Sequence, residues 1–203
     1  MAERIISEPG QLPVGPIGRS GIGWWGVGAL VASEAALFGY LLFSYYYVGA
    51  SAQPAWLPEP YPHMWPALPN TLLLIASSLA AVHGESGVRR GKRAQALLGF
   101  GAAFAMGTVF AAVQYYEWTL KHYSLGTSSY ASLYFVTTGL HMAHVVAGLL
   151  ILAALFAWTA VDFFSPRRRI TVSAGVLYWH FVDLVWLFVF TTYYLTPYLG
   201  FAQ

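Results

Sequence analysis

Five long runs of mostly apolar residues dominate this 203-residue sequence, at roughly Trp24–Val48, Leu68–Glu85, Ala94–Trp118, Ala131–Val161 and Ala174–Tyr198. A helix needs about 20 such residues to cross the hydrocarbon core of a bilayer. Lipid offers no partner to an open strand edge, so the runs are expected to be helices. The fourth is long enough to tilt or to project past the membrane. Apolar residues make up 58% of the chain and charged ones 9%, whereas soluble domains carry about 25% charged residues. The expected fold class is therefore an all-α integral membrane protein, a bundle of five transmembrane helices. Residues 1–22 read as a flexible cytoplasmic lead and 23–203 as one transmembrane domain. Met1–Ser20 holds Glu3, Glu8, three prolines and three glycines, and lacks the basic-then-apolar order of a signal peptide. There is no cysteine, which removes disulfides, thiolate metal sites and cysteine nucleophiles.

The connections set a direction. Arg4 and Arg19 lie in the lead, Arg89, Arg90, Lys92 and Arg93 in the second loop, and Arg167, Arg168 and Arg169 in the fourth. Only Lys121 lies in the other set of connections. By the positive-inside rule the N-terminus is expected in the cytoplasm and the C-terminus outside. The first outer loop, "QPAWLPEPYPHMWPALPN", suits a stiff interfacial hairpin, either a connector or a docking surface for a neighbouring subunit.

Few ionisable groups lie inside the spans, and each is a candidate for function or for polar contact between helices. Glu34 sits ten residues after Trp24, about 15 Å along the helix and near mid-membrane. A carboxyl at that depth can hold a hydrogen bond or pass a proton. His141 and His144 share a helix face at i,i+3, which fits packing or metal binding, and Gly139 and Gly148 beside them point to close helix approach. His180 and Asp183 have the same spacing, and Trp179, Asp183 and Trp186 form an i, i+4, i+7 stripe, the pattern of a polar seam. Gln114, Glu117 and Trp118, beside Tyr115 and Tyr116, read as an interfacial group at the outer end of the third span.

Several chemistries lack their residues. A four-helix di-iron site wants two Glu-x-x-His motifs, and position i+3 after Glu117 is Leu120. No glycine-elbow nucleophile supports a hydrolase. Facing histidine pairs about four turns apart, as in a di-haem protein, are absent from the fourth and fifth spans. The chain is not expected to do chemistry alone.

The sequence resembles subunit III of the haem-copper respiratory oxidases. "SEAALFGYLLFSYYY" is similar to that family's carboxylate-bearing helix, and the proline-rich loop before "LPNTLLLIASS" to its outer hairpin. "QYYEW", "FVTTGLHMAHVVAG" and "YWHFVDLVWLF" follow in the family's order. The resemblance implies a bacterial cytoplasmic-membrane subunit that binds no haem or copper itself. Those cofactors sit in partner subunits, with subunit I in direct contact and subunit II and smaller subunits nearby. It also implies bound phospholipid, support of proton delivery to subunit I, protection from turnover inactivation, and no nucleic-acid partner. Glu34 maps onto the family's buried carboxylate. Many members have seven helices; this sequence matches the short five-helix form. The Ser33–Glu34 pair leans towards a cytochrome c oxidase rather than a quinol oxidase or a nitric-oxide-reductase-associated homologue. Two other readings stay open on the residues: an autonomous haem-binding membrane redox protein using His141, His144 and His180, and a proton-coupled transporter built on Glu34 and Asp183.

Overall fold

In a computed structural model, the described residues are 22–51, 56–58, 62, 64–164 and 170–200. Residues 1–21, parts of the first outer loop and the "SPRRR" segment lie outside them. Five long helices are present: α1 (Ile22–Ser51), α2 (Met64–Arg89), α3 (Arg93–Thr119), α4 (Ser129–Ala160) and α5 (Ile170–Phe190). A π turn over Thr191–Leu195 and a 3-10 turn over Thr196–Leu199 extend α5. Each unit is long and apolar enough to cross a membrane, as expected from the sequence. No strand occurs among the described residues.

The helices form a bundle around α5. Of its most apolar window 61% is buried, against 11% for α1, which makes α5 the central helix and α1 a peripheral one. α5 contacts α1, α2 and α4, α3 sits between α2 and α4, and α1 rests on α4 and α5. The apolar surface left outside, including Leu72, Leu79, Leu98, Leu150 and Leu184, is what a lipid or protein environment would cover.

Small residues decide how closely the helices approach. α2 and α3 are joined by a tight turn in which Gly91 takes φ +67, a conformation that L side chains rarely adopt. Above that turn a Cβ at Gly87 would lie 2.5 Å from the backbone nitrogen of Ala96, and one at Gly99 would collide with the Gly84 backbone. This is backbone-to-backbone packing of the kind that glycine and alanine permit in membranes. On the other side, the fully buried indole of Trp179 fills a notch between α3 and α4. A Cβ would lie 2.7 Å from its ring at Gly107 and 2.6 Å at Gly148. At Gly139, by contrast, an added Cβ meets nothing within 4 Å, so the expectation of close approach there is corrected.

These positions give a paired test. Gly148→Ala pushes a methyl into the Trp179 ring and is expected to cost about 1–3 kcal/mol, the usual range for overpacking. Gly139→Ala is expected to be neutral or slightly stabilising, because alanine favours helix and has room. Thermal denaturation of the purified protein checks both. Equal melting temperatures for the two variants would remove Trp179 as a packing constraint.

Candidate functional site

Three groups of polar side chains link the spans at the sequence-predicted positions, each fixed by its helix register. The first joins α1 to α4. Glu34 Oε2 lies 3.0 Å from His144 Nε2, with the Glu34 side chain 26% and the His144 side chain 16% exposed. His144 Nδ1 is 2.7 Å from the Leu140 carbonyl one turn back. A carbonyl only accepts, so Nδ1 carries a hydrogen and donates to it. Nε2 then either accepts from a protonated Glu34 or, in an imidazolium, donates to a carboxylate. In both cases one hydrogen bridges the two side chains and ties α1 to α4. The edge of Phe38 packs against both His144 and His141, at 5.2 and 6.4 Å between ring centres.

The second group joins α5 to α2, which run antiparallel. Trp179 Nε1 donates to Ser77 Oγ at 3.1 Å, and Trp186 Nε1 donates to Thr71 Oγ1 at 2.9 Å. Each hydroxyl also donates to its own helix, Ser77 to the Leu74 carbonyl and Thr71 to the Ala67 carbonyl. His180 Nδ1 is 2.6 Å from Ser78 Oγ. Nearer the helix ends, Ser173 donates to Glu85 at 2.6 Å, and Glu85 pairs with Arg89 at 3.2 Å. Asp183 is 7% exposed and lies near Ser78, but the Ser78 hydroxyl bonds His180 and neither Asp183 oxygen meets a hydrogen-bond partner among the described residues. Trp179 and Trp186 thus tie this side of α5 to α2, and Asp183 lies between them on the same side.

His141 is different. It is fully buried, stacked on Trp186 at 5.1 Å and flanked by Phe110, and its ring nitrogens meet no hydrogen-bond partner among the described residues. His141, His144 and His180 therefore turn towards α5, α1 and α2 respectively and do not converge. Among the described residues, no group of three or more His, Cys, Asp or Glu side chains is placed to hold a metal ion.

The third group lies at the α3–α4 end. Gln114 and Glu117 stand at the depth expected for the interface, but their side chains turn inward, at 1% and 5% exposure, while Tyr115 and Tyr116 face out. Trp118 is half-buried against Phe135. Glu117 Oε1 accepts from Lys121 Nζ at 2.7 Å and from the Tyr194 hydroxyl at 2.8 Å. Lys121 also sits over the rings of Tyr134 and Tyr194, at 5.2 and 5.5 Å. The Tyr134 and Tyr194 hydroxyls are 3.1 Å apart. In the α3–α4 connection, burial and the Glu117 charge push the Tyr123 phenol above its ordinary pKa. Thr192, Tyr193 and Tyr194 are consecutive and all buried, which the π turn allows because it splays successive residues less than an α-helix does.

Sequence reasoning missed the hydroxyl partners on α2 and this tyrosine cluster. The spacing of Thr71, Ser78 and Glu85, seven residues apart, marks one face of α2 and could have found the first. No period marks the second, because it depends on the change of helix type.

Comparison with known sequences bears on the same regions. The family described as cytochrome c oxidase subunit III matches residues 17–198. A Synechocystis sp. protein named cytochrome c oxidase subunit 3 is 37% identical over 181 residues, 88% of this chain and 77% of that protein. A Nocardia farcinica protein named probable cytochrome c oxidase subunit 3 is 34% identical over 174 residues, 83% of this chain and 86% of that one. A Mycobacterium tuberculosis protein of the same name matches to the same extent, 34% identical over 174 residues. With five membrane-spanning helices and a family match running from before α1 to the end of α5, the chain belongs to the cytochrome c oxidase subunit III family.

Proposed function

We propose that this chain is a non-catalytic, cofactor-free subunit of a proton-pumping haem-copper oxidase in a bacterial cytoplasmic membrane. In this reading it packs directly against subunit I, with subunit II and smaller subunits nearby, and haem and copper reside in those partners. Its N-terminus is cytoplasmic and its C-terminus outside, following the basic residues. It supports assembly and stability, holds phospholipid, and sustains proton delivery to subunit I. The observation that carries this reading is the divergence of the three histidines. Their rings are taken up separately, by Glu34, Ser78 and the Trp186 face, so the polar groups hold helices together rather than a redox group.

The direct test is to tag the chain, extract it in mild detergent, and record its partners and visible spectrum before and after splitting the complex. Haem and copper are expected to leave with larger partners and the isolated chain to be colourless. Haem retained on this chain would overturn the reading.

Asp183 and His180 serve the α2–α5 contact. Asp183→Leu is expected to lower recovery with subunit I more than activity per assembled complex, and Asp183→Asn, which keeps a polar edge towards Ser78, to restore most of the recovery. An Asp183→Leu complex that assembles normally but is inactive would contradict this.

Glu34 holds the shared proton of the Glu34–His144 pair. Glu34→Gln can still donate to His144 Nε2, so assembly is expected to survive while proton-coupled turnover falls. Glu34→Leu leaves the imidazole unpaired and is expected to cost about 1–3 kcal/mol of stability, the penalty of one unsatisfied group. Wild-type turnover in Glu34→Gln would confine Glu34 to packing.

A further inference from the structure

Exposed hydroxyls on the outside of the bundle are spent on their own helices. Ser33, Ser44 and Thr108 each donate to a carbonyl three or four residues back and ask nothing of the lipid. His180 differs. Its Nδ1 is 2.6 Å from Ser78 Oγ, across the α2–α5 seam. The Leu74 carbonyl takes the Ser77 hydroxyl, and the Asp183 oxygens meet no partner among the described residues, so the Ser78 hydrogen goes to Nδ1. A neutral imidazole that accepts at Nδ1 carries its own hydrogen on Nε2. That Nε2 has no hydrogen bond among the described residues and is not enclosed, for His180 is only half-buried. His144, by contrast, has both nitrogens engaged, and His141 has both enclosed. His180 stands ten residues into α5, about 15 Å from its start, at a depth where no water reaches. Its surroundings are apolar and open. Leu184 and Leu187 continue its stripe on α5 at i+4 and i+7, and Ile75 and Val82 continue the Ser78 stripe on α2, all four exposed.

We propose that the outward side of the α2–α5 seam docks a transmembrane helix of the neighbouring catalytic subunit, and that this helix presents a hydrogen-bond acceptor to His180 Nε2. The acceptor is a hydroxyl, a side-chain amide oxygen, or a backbone carbonyl freed from its own helix. Lipid is the competing occupant, and its chemistry fits poorly. Acyl chains can cover Ile75, Val82, Leu184 and Leu187, but they accept no hydrogen bond. The oxygens of a phospholipid stay in the headgroup layer, about 15 Å from mid-membrane. An N–H left in hydrocarbon is costly, whereas a polar contact between packed helices satisfies it. Ser78 is the positioning residue: by holding Nδ1 it fixes both the tautomer and the direction in which Nε2 points. The four apolar neighbours then form a dry strip around one polar contact, which sets the depth and register at which the two subunits meet. The proposal rests on the reading of this chain as one subunit of a membrane complex, and adds which face meets the larger partner and through which atom.

The test uses the intact complex in its native membrane, with photoreactive p-benzoylphenylalanine replacing Val82 or Leu184 beside the seam, and Leu98 on α3 or Leu150 on α4 for comparison. After irradiation, mass spectrometry identifies what each site has captured. Val82 and Leu184 are expected to crosslink to the largest haem-bearing subunit several-fold more than Leu98 and Leu150 do. His180→Phe keeps the bulk of the ring and loses the donor, and is expected to lower several-fold the share of complexes that keep this chain through detergent extraction. His180→Gln, whose amide N–H can stand where Nε2–H does, is expected to retain it. Capture of lipid alone, or of a second copy of this chain, at both seam positions would overturn the docking face, as would crosslinks to the catalytic subunit from Leu98 or Leu150 in their place. Wild-type retention of the chain in His180→Phe would overturn the role of Nε2. If His180→Phe does not accumulate, the crosslinks decide, because Val82 and Leu184 face outward and can be replaced without disturbing the bundle. Failure of the underlying reading shows separately, as a wild-type chain with which no haem-bearing subunit co-purifies, and the docking proposal falls with it.

Discussion

The indole of Trp179 is the contact on which the arrangement of the bundle depends. It enters a notch that exists only because Gly107 on α3 and Gly148 on α4 have no side chains, and its nitrogen reaches Ser77 on α2. One α5 residue thus fixes the distance to three helices. In water such packing would be reinforced by the hydrophobic effect. Between helices in lipid that force is nearly absent, and fit and hydrogen bonds must hold the helices together. The α2–α3 hairpin follows the same rule by another route, with glycine and alanine letting the two backbones touch.

The hydroxyls of α2 show how the membrane setting shapes polar contacts. Ser77 and Thr71 each donate to a carbonyl of their own helix and accept an indole N–H from α5. Neither the hydroxyl hydrogen nor the indole hydrogen is left facing lipid. A serine or threonine on a soluble helix surface could turn to water instead; here the two-way arrangement is what makes the seam affordable. The same reasoning applies to His144, whose Nδ1 is held by Leu140 so that Nε2 points at Glu34. The backbone chooses the tautomer, and the tautomer aims Nε2 at the carboxyl group across the helix contact.

How much of this could be read from the sequence differs by level. The five spans follow from length and apolarity alone, and the helices match them to within a few residues at most ends. The α5 stripe was legible because i, i+4, i+7 spacing puts Trp179, Asp183 and Trp186 on one face. The partners on that face were not, since spacing along one helix says nothing about which neighbour it meets. For the same reason His141 and His144, one turn apart, read as a pair although they face different helices. Gly139 and Gly148 look alike in sequence and differ only in whether a tryptophan arrives opposite. Glu117 looked interfacial because its neighbours Tyr115 and Tyr116 are, yet a helix end has an inner face at the same depth.

That inner face explains why the two ends of the bundle differ. At the α2–α3 turn, charge stays near the rim: Arg89 is more than half exposed and reaches in only to Glu85. At the α3–α4 end, Glu117 is buried and Lys121 partly so, the lysine lying over two tyrosine rings. A buried ion pair is a weak source of stability, because desolvation offsets most of the attraction. If packing were its only role, apolar residues of similar volume would do as well. The α5 helix nevertheless changes from α to π where Tyr193 and Tyr194 must both turn inward, and Tyr194 spends its hydrogen on Glu117. The change from α to π lets Tyr193 and Tyr194 both turn inward, so that a phenol meets the one buried carboxylate at this end of α3 and satisfies it from inside the bundle.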